Sequence, residues 1–272
     1  MIPTLVHLGP FQIRAYGVML AIAFLVGTWW AVRSAGRRGI PADPILSLIG
    51  WILISSLLGA RLAFVLGHPD SYADPLEFFR IWEGGLTLYG GLIAAIVASF
   101  LYLKKHRLPF LLVADATAPA LALGEAITRI GCFLNGCCFG AACASPLAVH
   151  YPPHSYAAMT LGNVPVYPSQ LFLSVAMLVV FLMLWRLDRR VLTVGVLFGI
   201  YLVGQGIVRY LVDFTRYYED VDRLPALAPV IGTKSQAIAL FLALAGAVLV
   251  VQRLRAGHRA TDLARPAREA GR

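Results

Sequence analysis

Long apolar runs and short polar breaks alternate along the chain, with no repeat of fixed period. Seven runs approach about 20 residues, the length a helix needs to cross a hydrocarbon layer about 30 Å thick. They cover residues 11–32, 45–66, 84–103, 111–134, 168–186, 192–214 and 233–252. The fourth is the least apolar, carrying Asp115, Glu125 and Arg129. This pattern predicts an all-α integral membrane protein with seven transmembrane helices. The longest break, residues 135–167, is rich in Pro, Gly, Ser and Tyr and has no helix or strand period. It is expected to form a small irregular extracytoplasmic cap. Residues 1–258 read as a single seven-span membrane domain, and residues 259–272 as a disordered cytoplasmic tail.

Composition agrees with lipid as the solvent. Of 272 residues, 59% are hydrophobic and only 14% are charged, against about 25% charged in soluble domains. No cleavable signal peptide is expected, because the N-terminus lacks a basic segment and the first apolar run is too long. The net charge of +9 could suggest nucleic acid, but its placement excludes that reading. Cations fill alternate breaks: Arg33, Arg37 and Arg38, then Lys104, Lys105 and Arg107, then Arg186, Arg189 and Arg190, then six arginines after residue 252. The intervening breaks hold only Arg80, Arg216 and Arg223. Basic loops stay in the cytoplasm. The N-terminus is therefore expected outside it and the C-terminus inside.

Three arginines fall within the apolar runs: Arg61, Arg129 and Arg209. A lone guanidinium in hydrocarbon is costly and marks a cavity, a partner or a function. Its forked donors also suit phosphate oxygens, taken two at a time. Arg129 and Arg209 both lie about one turn inside the extracytoplasmic ends of their runs, a depth that suits a lipid headgroup. Snorkelling to the interface is the plainer alternative. Asp213, four residues after Arg209, lies on the same helical face.

The densest motif is Thr-Arg-Ile-Gly-Cys-Phe-Leu-Asn-Gly-Cys-Cys-Phe-Gly, residues 128–140. Its glycines permit close approach and a turn out of the helix, and Asn135 can cap the helix or donate to a ligand. Cys132, Cys137, Cys138 and Cys143 fall within twelve residues. A disulfide between Cys137 or Cys138 and Cys143, buried free thiols, or a metal site are all open, and no clean C-x-x-C pair favours metal. The segment Trp-Glu-Gly-Gly-Leu-Thr-Leu-Tyr-Gly-Gly, residues 82–91, surrounds Tyr89 with glycine pairs. It reads either as an irregular entry segment near a lipid or as a small-residue helix contact. Tyr16 reads as an aromatic-belt residue when taken alone.

Taken in order, these motifs resemble the prolipoprotein diacylglyceryl transferase family of bacterial inner membranes. The match runs from Ile-Arg-Ala-Tyr-Gly (13–17) through Gly-Ala-Arg-Leu (59–62), 82–91, 129–140, Tyr-Pro-Ser-Gln-Leu (167–171) and 209–216 to Thr-Lys-Ser-Gln (233–236). The resemblance implies an enzyme that moves a diacylglyceryl group from phosphatidylglycerol to the lipobox cysteine of a prolipoprotein signal peptide, with glycerol phosphate leaving. It implies no metal and no organic cofactor, and a monomer is expected. Arg129, Arg209, Tyr89 and Asp213 are the catalytic candidates. Tyr16, Arg61, Asn135, Gly140 and Asp115 are the substrate-binding candidates.

Four positions depart from the family pattern. Tyr89 stands where the family has His, Cys132 replaces Asn, Cys137 replaces Glu, and Asp213 replaces Glu. A tyrosine titrates at about pH 10, so the evident general base is missing. His68, Asp213 or Tyr89 itself could take that role, or the thiol could ionise beside the arginines without a strong base. Two alternatives accompany the transferase reading: a non-catalytic lipid- or lipoprotein-binding paralogue, and a membrane thiol-redox protein using the cysteines.

Overall fold

The computed structural model describes residues 4–8, 11–68, 85–153, 155–190, 193–218, 224 and 231–257. The expected tail and the start of the 82–91 motif lie outside the described residues. Among the described residues, seven helices are long and apolar enough to cross a membrane: α1 (Ala15–Arg37), α2 (Ala42–Gly67), α3 (Leu88–Lys105), α4 (Phe110–Asn135), α6 (Ser169–Asp188), α7 (Val196–Asp213) and α8 (Lys234–Ala256). This is the expected all-α membrane architecture.

Two additions were not anticipated. A two-stranded antiparallel hairpin, β1 (Thr4–Leu8) with β2 (Phe11–Arg14), precedes α1. A short helix, α5 (Tyr156–Leu161), lies inside the cap segment. Ser155 starts α5, its hydroxyl accepting from the Ala158 N–H at 3.2 Å, and so satisfies a donor that the first turn leaves open.

The described residues divide into two compact units, one within 32–113 and the other within 4–31 and 114–257. In the first, α2 and α3 approach through glycine and alanine. A side chain at Gly59 or Gly90 would collide with the facing alanine and carbonyl, and one at Gly91 would sit 3.0 Å from the Ser56 carbonyl. Helices in lipid gain from such closeness because apolar burial no longer drives their association. The glycine pair after Tyr89 thus serves helix contact. Arg61 is 2% exposed and donates to the Gly85 carbonyl at 3.2 Å. The Thr87 N–H also bonds to the Ala60 carbonyl, so the segment entering α3 is tied to α2.

In the second unit, α6 is central. Leu173, Met177, Val180, Phe181 and Leu184 pack against Ala122 and Ala126 of α4 and Leu197 and Val212 of α7. The α7–α8 contact again uses small residues, with Gly199 and Gly206 facing Gly246 and Ala239. Helix α4, which carries Asp115, Glu125 and Arg129, has 56% of its most apolar window buried, against 11% for α8. Protein rather than lipid therefore surrounds the ionisable groups of α4. Asp115 accepts from the Gly195 and Phe198 N–H groups at 2.6 and 2.7 Å. A buried carboxylate so placed caps α7 and meets the positive end of its dipole.

Candidate active site

The C-terminal ends of α4 and α7 meet the N-terminal ends of α6 and α8 at one end of the second unit. Helix α4 stops by a Schellman closure. Gly136 takes φ +75°, its N–H bonds to the Phe133 carbonyl, and the Cys137 N–H bonds back to the Cys132 carbonyl, each at 3.2 Å. Such a closure stacks the residue after the glycine onto the helix three positions before its cap. Here both residues are cysteines. Cys138 follows with φ +59°, a left-handed backbone uncommon outside glycine. The Sγ atoms of Cys132, Cys137 and Cys138 all lie within 4.8 Å of one another. All four cysteines are free thiols. Cys143 is outside this cluster, its N–H bonded to the Pro165 carbonyl. The pairing of Cys137 or Cys138 with Cys143 is therefore corrected: the closure turns the thiols toward Cys132.

The cap is pinned to this end by backbone pairing. Gly140 bridges Arg216, and its N–H bonds to the Tyr167 carbonyl. A Cβ at Gly140 would lie 2.5–2.6 Å from the Tyr167 carbonyl, the Ser169 hydroxyl and the Thr215 carbonyl. No side chain fits there, which accounts for the glycine without a ligand. Gln170 donates to the Cys137 carbonyl at 2.7 Å and to the Tyr151 hydroxyl at 2.8 Å. Burial pushes Tyr151 up to about 12, so it remains protonated.

A small recess is lined by Arg129, Cys138, Ser169, Gln170, Leu173 and Arg216. Arg129 pairs with Glu125 at 3.1 Å. The Nε atoms of both Arg129 and Arg216 are buried with no hydrogen-bond partner among the described residues. A buried donor left unmade is costly, so the two guanidiniums bring open donors and positive charge to a recess that is too tight for a water molecule as it stands. Cys138 is held well below the ordinary thiol range. The Cys132 thiol donates to it, then the Cys137 thiol, and Arg216 and Arg129 add positive charge.

Arg209 has a more occupied environment. Its Nε donates to Ser235 at 2.9 Å, its Nη2 to the Tyr218 hydroxyl at 3.0 Å, and Asp213 lies at 3.6 Å. Asp213 is buried and accepts from the Tyr218 hydroxyl and, at 2.5 Å, from Thr233, which also caps α8. Burial raises Tyr218 above its ordinary value, so it stays a donor. The Arg216 guanidinium lies over the Tyr218 ring, 5.1 Å from its centre. A continuous polar chain therefore runs from Asp213 through Arg209 and Tyr218 to Arg216.

A family model for prolipoprotein diacylglyceryl transferase matches residues 3–252. The chain belongs to the prolipoprotein diacylglyceryl transferase family. Relatives named phosphatidylglycerol–prolipoprotein diacylglyceryl transferase include one from Cupriavidus metallidurans, 32% identical over 97% of both chains. Another, from Chromohalobacter salexigens, is 34% identical over 92% of this chain and 91% of its own. A third, from Idiomarina loihiensis, is 36% identical over 79% of this chain and 80% of its own.

Within this family member, the candidates predicted from sequence fall into three groups. Arg129, Arg209, Asp213, Asn135 and Gly140 gather at the recess end. Tyr16 lies beside them, its ring at 3.4 Å from where a Cβ on Gly131 would stand. Asp115 is engaged at the α7 cap, and Arg61 and Tyr89 belong to the other unit, Tyr89 with 65% of its surface exposed. His68, also in that unit, stacks on Phe64. Arg216, Tyr218, Thr233, Ser235 and Gln170 were not foreseen as site residues. Arg216 was readable only as a loop cation, because its burial comes from the bridge to Gly140, 76 residues away.

Proposed function

We propose that this chain transfers a diacylglyceryl group from phosphatidylglycerol to the lipobox cysteine of a prolipoprotein and releases glycerol phosphate. The acceptor thiolate attacks the glycerol carbon that bears the phosphate. The carbon–oxygen bond breaks, and its electron pair leaves on the phosphate oxygen. The observation that carries this reading is the pair of buried, unpartnered Nε donors on Arg129 and Arg216 around one recess. They supply two donors where negative charge grows, in surroundings that strengthen each contact. Arg209, held by Ser235, Tyr218 and Asp213, adds a third positive group without having to reorganise. Asn135 and Tyr16 border the lipid, and the acceptor peptide enters from the same end.

The protein works as a monomer in the bacterial inner membrane, with its N-terminus outside the cytoplasm and its C-terminus inside. The distribution of lysine and arginine supports that orientation. Reporter fusions after Arg38, Arg107 and Arg190 are expected to signal cytoplasm, and a fusion after Leu147 the opposite side. A fusion after Arg107 that reads extracytoplasmic contradicts the orientation. Catalysis itself is tested by incubating the purified protein with phosphatidylglycerol and a lipobox peptide, then weighing the peptide. A transferase adds the mass of one diacylglyceryl group, whereas a non-catalytic binder retains lipid and leaves the peptide unchanged.

A further inference from the structure

The three clustered thiols have no part in the chemistry above, and the sequence alone favoured no metal. We propose that Cys132, Cys137 and Cys138 bind one zinc ion, whose fourth coordination position takes the acceptor thiol. The second half rests on the transferase reading, and the first does not.

The main-chain geometry argues for the site. The Schellman closure fixes Cys137 over Cys132, and the left-handed residue that follows brings Cys138 to the same point. The mutual limit of 4.8 Å compares with about 3.8 Å between sulfurs of a tetrahedral zinc site, given a Zn–S bond of about 2.3 Å. Small rotations of the side chains close that difference. Three thiolates and one Zn²⁺ leave a single negative charge, and Arg129 and Arg216 stand beside it to balance it. Three protein ligands with an open fourth position is the arrangement of zinc sites that act on a bound group rather than only hold a fold. Cys138 lines the same recess as Arg129 and Arg216, so the open position adjoins the two guanidiniums.

The site also supplies what three described carboxylates do not. Glu125 is paired with Arg129, Asp213 accepts from Tyr218 and Thr233, and Asp115 caps α7. An acceptor thiol that binds the ion gives its proton to solvent water and becomes a thiolate at neutral pH. Its sulfur then forms the bond to the glycerol carbon as the phosphate leaves with the electron pair. No side-chain base is consumed in that sequence.

Cobalt(II) is the probe. Added to the reduced full-length protein in detergent, one equivalent is expected to give a sulfur-to-cobalt charge-transfer band, bleached by zinc. Changing any one of the three cysteines to Ser weakens cobalt binding by more than about tenfold, while Cys143→Ser leaves it intact. Thermal melting of each variant separates lost binding from lost fold. A lipobox peptide is expected to shift the band, and its Cys→Ser form is not. Absence of a band when all four thiols are reduced overturns the site, as does equal loss in Cys143→Ser. A peptide without effect on the band overturns the acceptor role. A protein that binds cobalt and peptide thiol yet moves no lipid keeps the zinc site and refutes the transferase reading.

Discussion

Changing Arg129 or Arg216 to Lys lowers diacylglyceryl transfer by about 10²–10³, equivalent to about 2.7–4 kcal/mol of transition-state stabilisation. Lysine preserves the charge, so insertion, the charge balance of the recess and, at Arg129, the pairing with Glu125 survive. It removes the planar fork and the Nε donor, which is buried and without a partner in both residues. The loss should fall on turnover more than on lipid retention, because the donors face charge that appears only as the phosphate departs. The two variants should also be strongly non-additive, since both guanidiniums address one leaving group around one recess. Near-normal turnover in both would make the arginines structural and remove the phosphate argument.

Asp213→Leu produces the largest loss of stability. The Asp213 side chain has no exposure, and three groups converge on it: the hydroxyls of Tyr218 and Thr233 and the guanidinium of Arg209. Each hydroxyl left without an acceptor costs about 1–3 kcal/mol. Arg209 retains 20% exposure of its side chain, so water offsets part of its loss. Melting in detergent should fall by at least about 5 °C, and transfer should fall with it as Arg209 loses its fixed position. Asp213→Glu keeps a carboxylate and should recover most of the activity. A Leu variant that melts like the parent would show that the network does not hold this end together.

Much of this was legible in the sequence, for a physical reason. Lipid forces each span to be long, apolar and helical, so the seven runs could be counted without knowing their partners. The arginines were legible because their burial in such runs has to be explained. The structure adds what depends on distant pairing. Arg216 becomes a site residue only through the bridge to Gly140, and Asp115 becomes a helix cap only because α7 begins beside it. The disulfide to Cys143 fails for a local reason: Asn-Gly at 135–136 signals a left-handed helix stop, and that stop points Cys137 back at Cys132 rather than on toward Cys143. The turn of the β1–β2 hairpin carried a readable signal too, Gly9-Pro10 ahead of the alternating Phe-Gln-Ile-Arg, but residues 11–14 were absorbed into the first apolar run.

The most direct measurement of the central claim is the stoichiometry of one reaction. The purified protein is given phosphatidylglycerol and a lipobox peptide, and thioether-linked peptide and free glycerol phosphate are counted together by mass spectrometry. One glycerol phosphate released for each diacylglyceryl group found on the cysteine, and none with a peptide carrying Ser in its place, is the predicted result. Lipid that stays bound while the cysteine peptide keeps its original mass would contradict it.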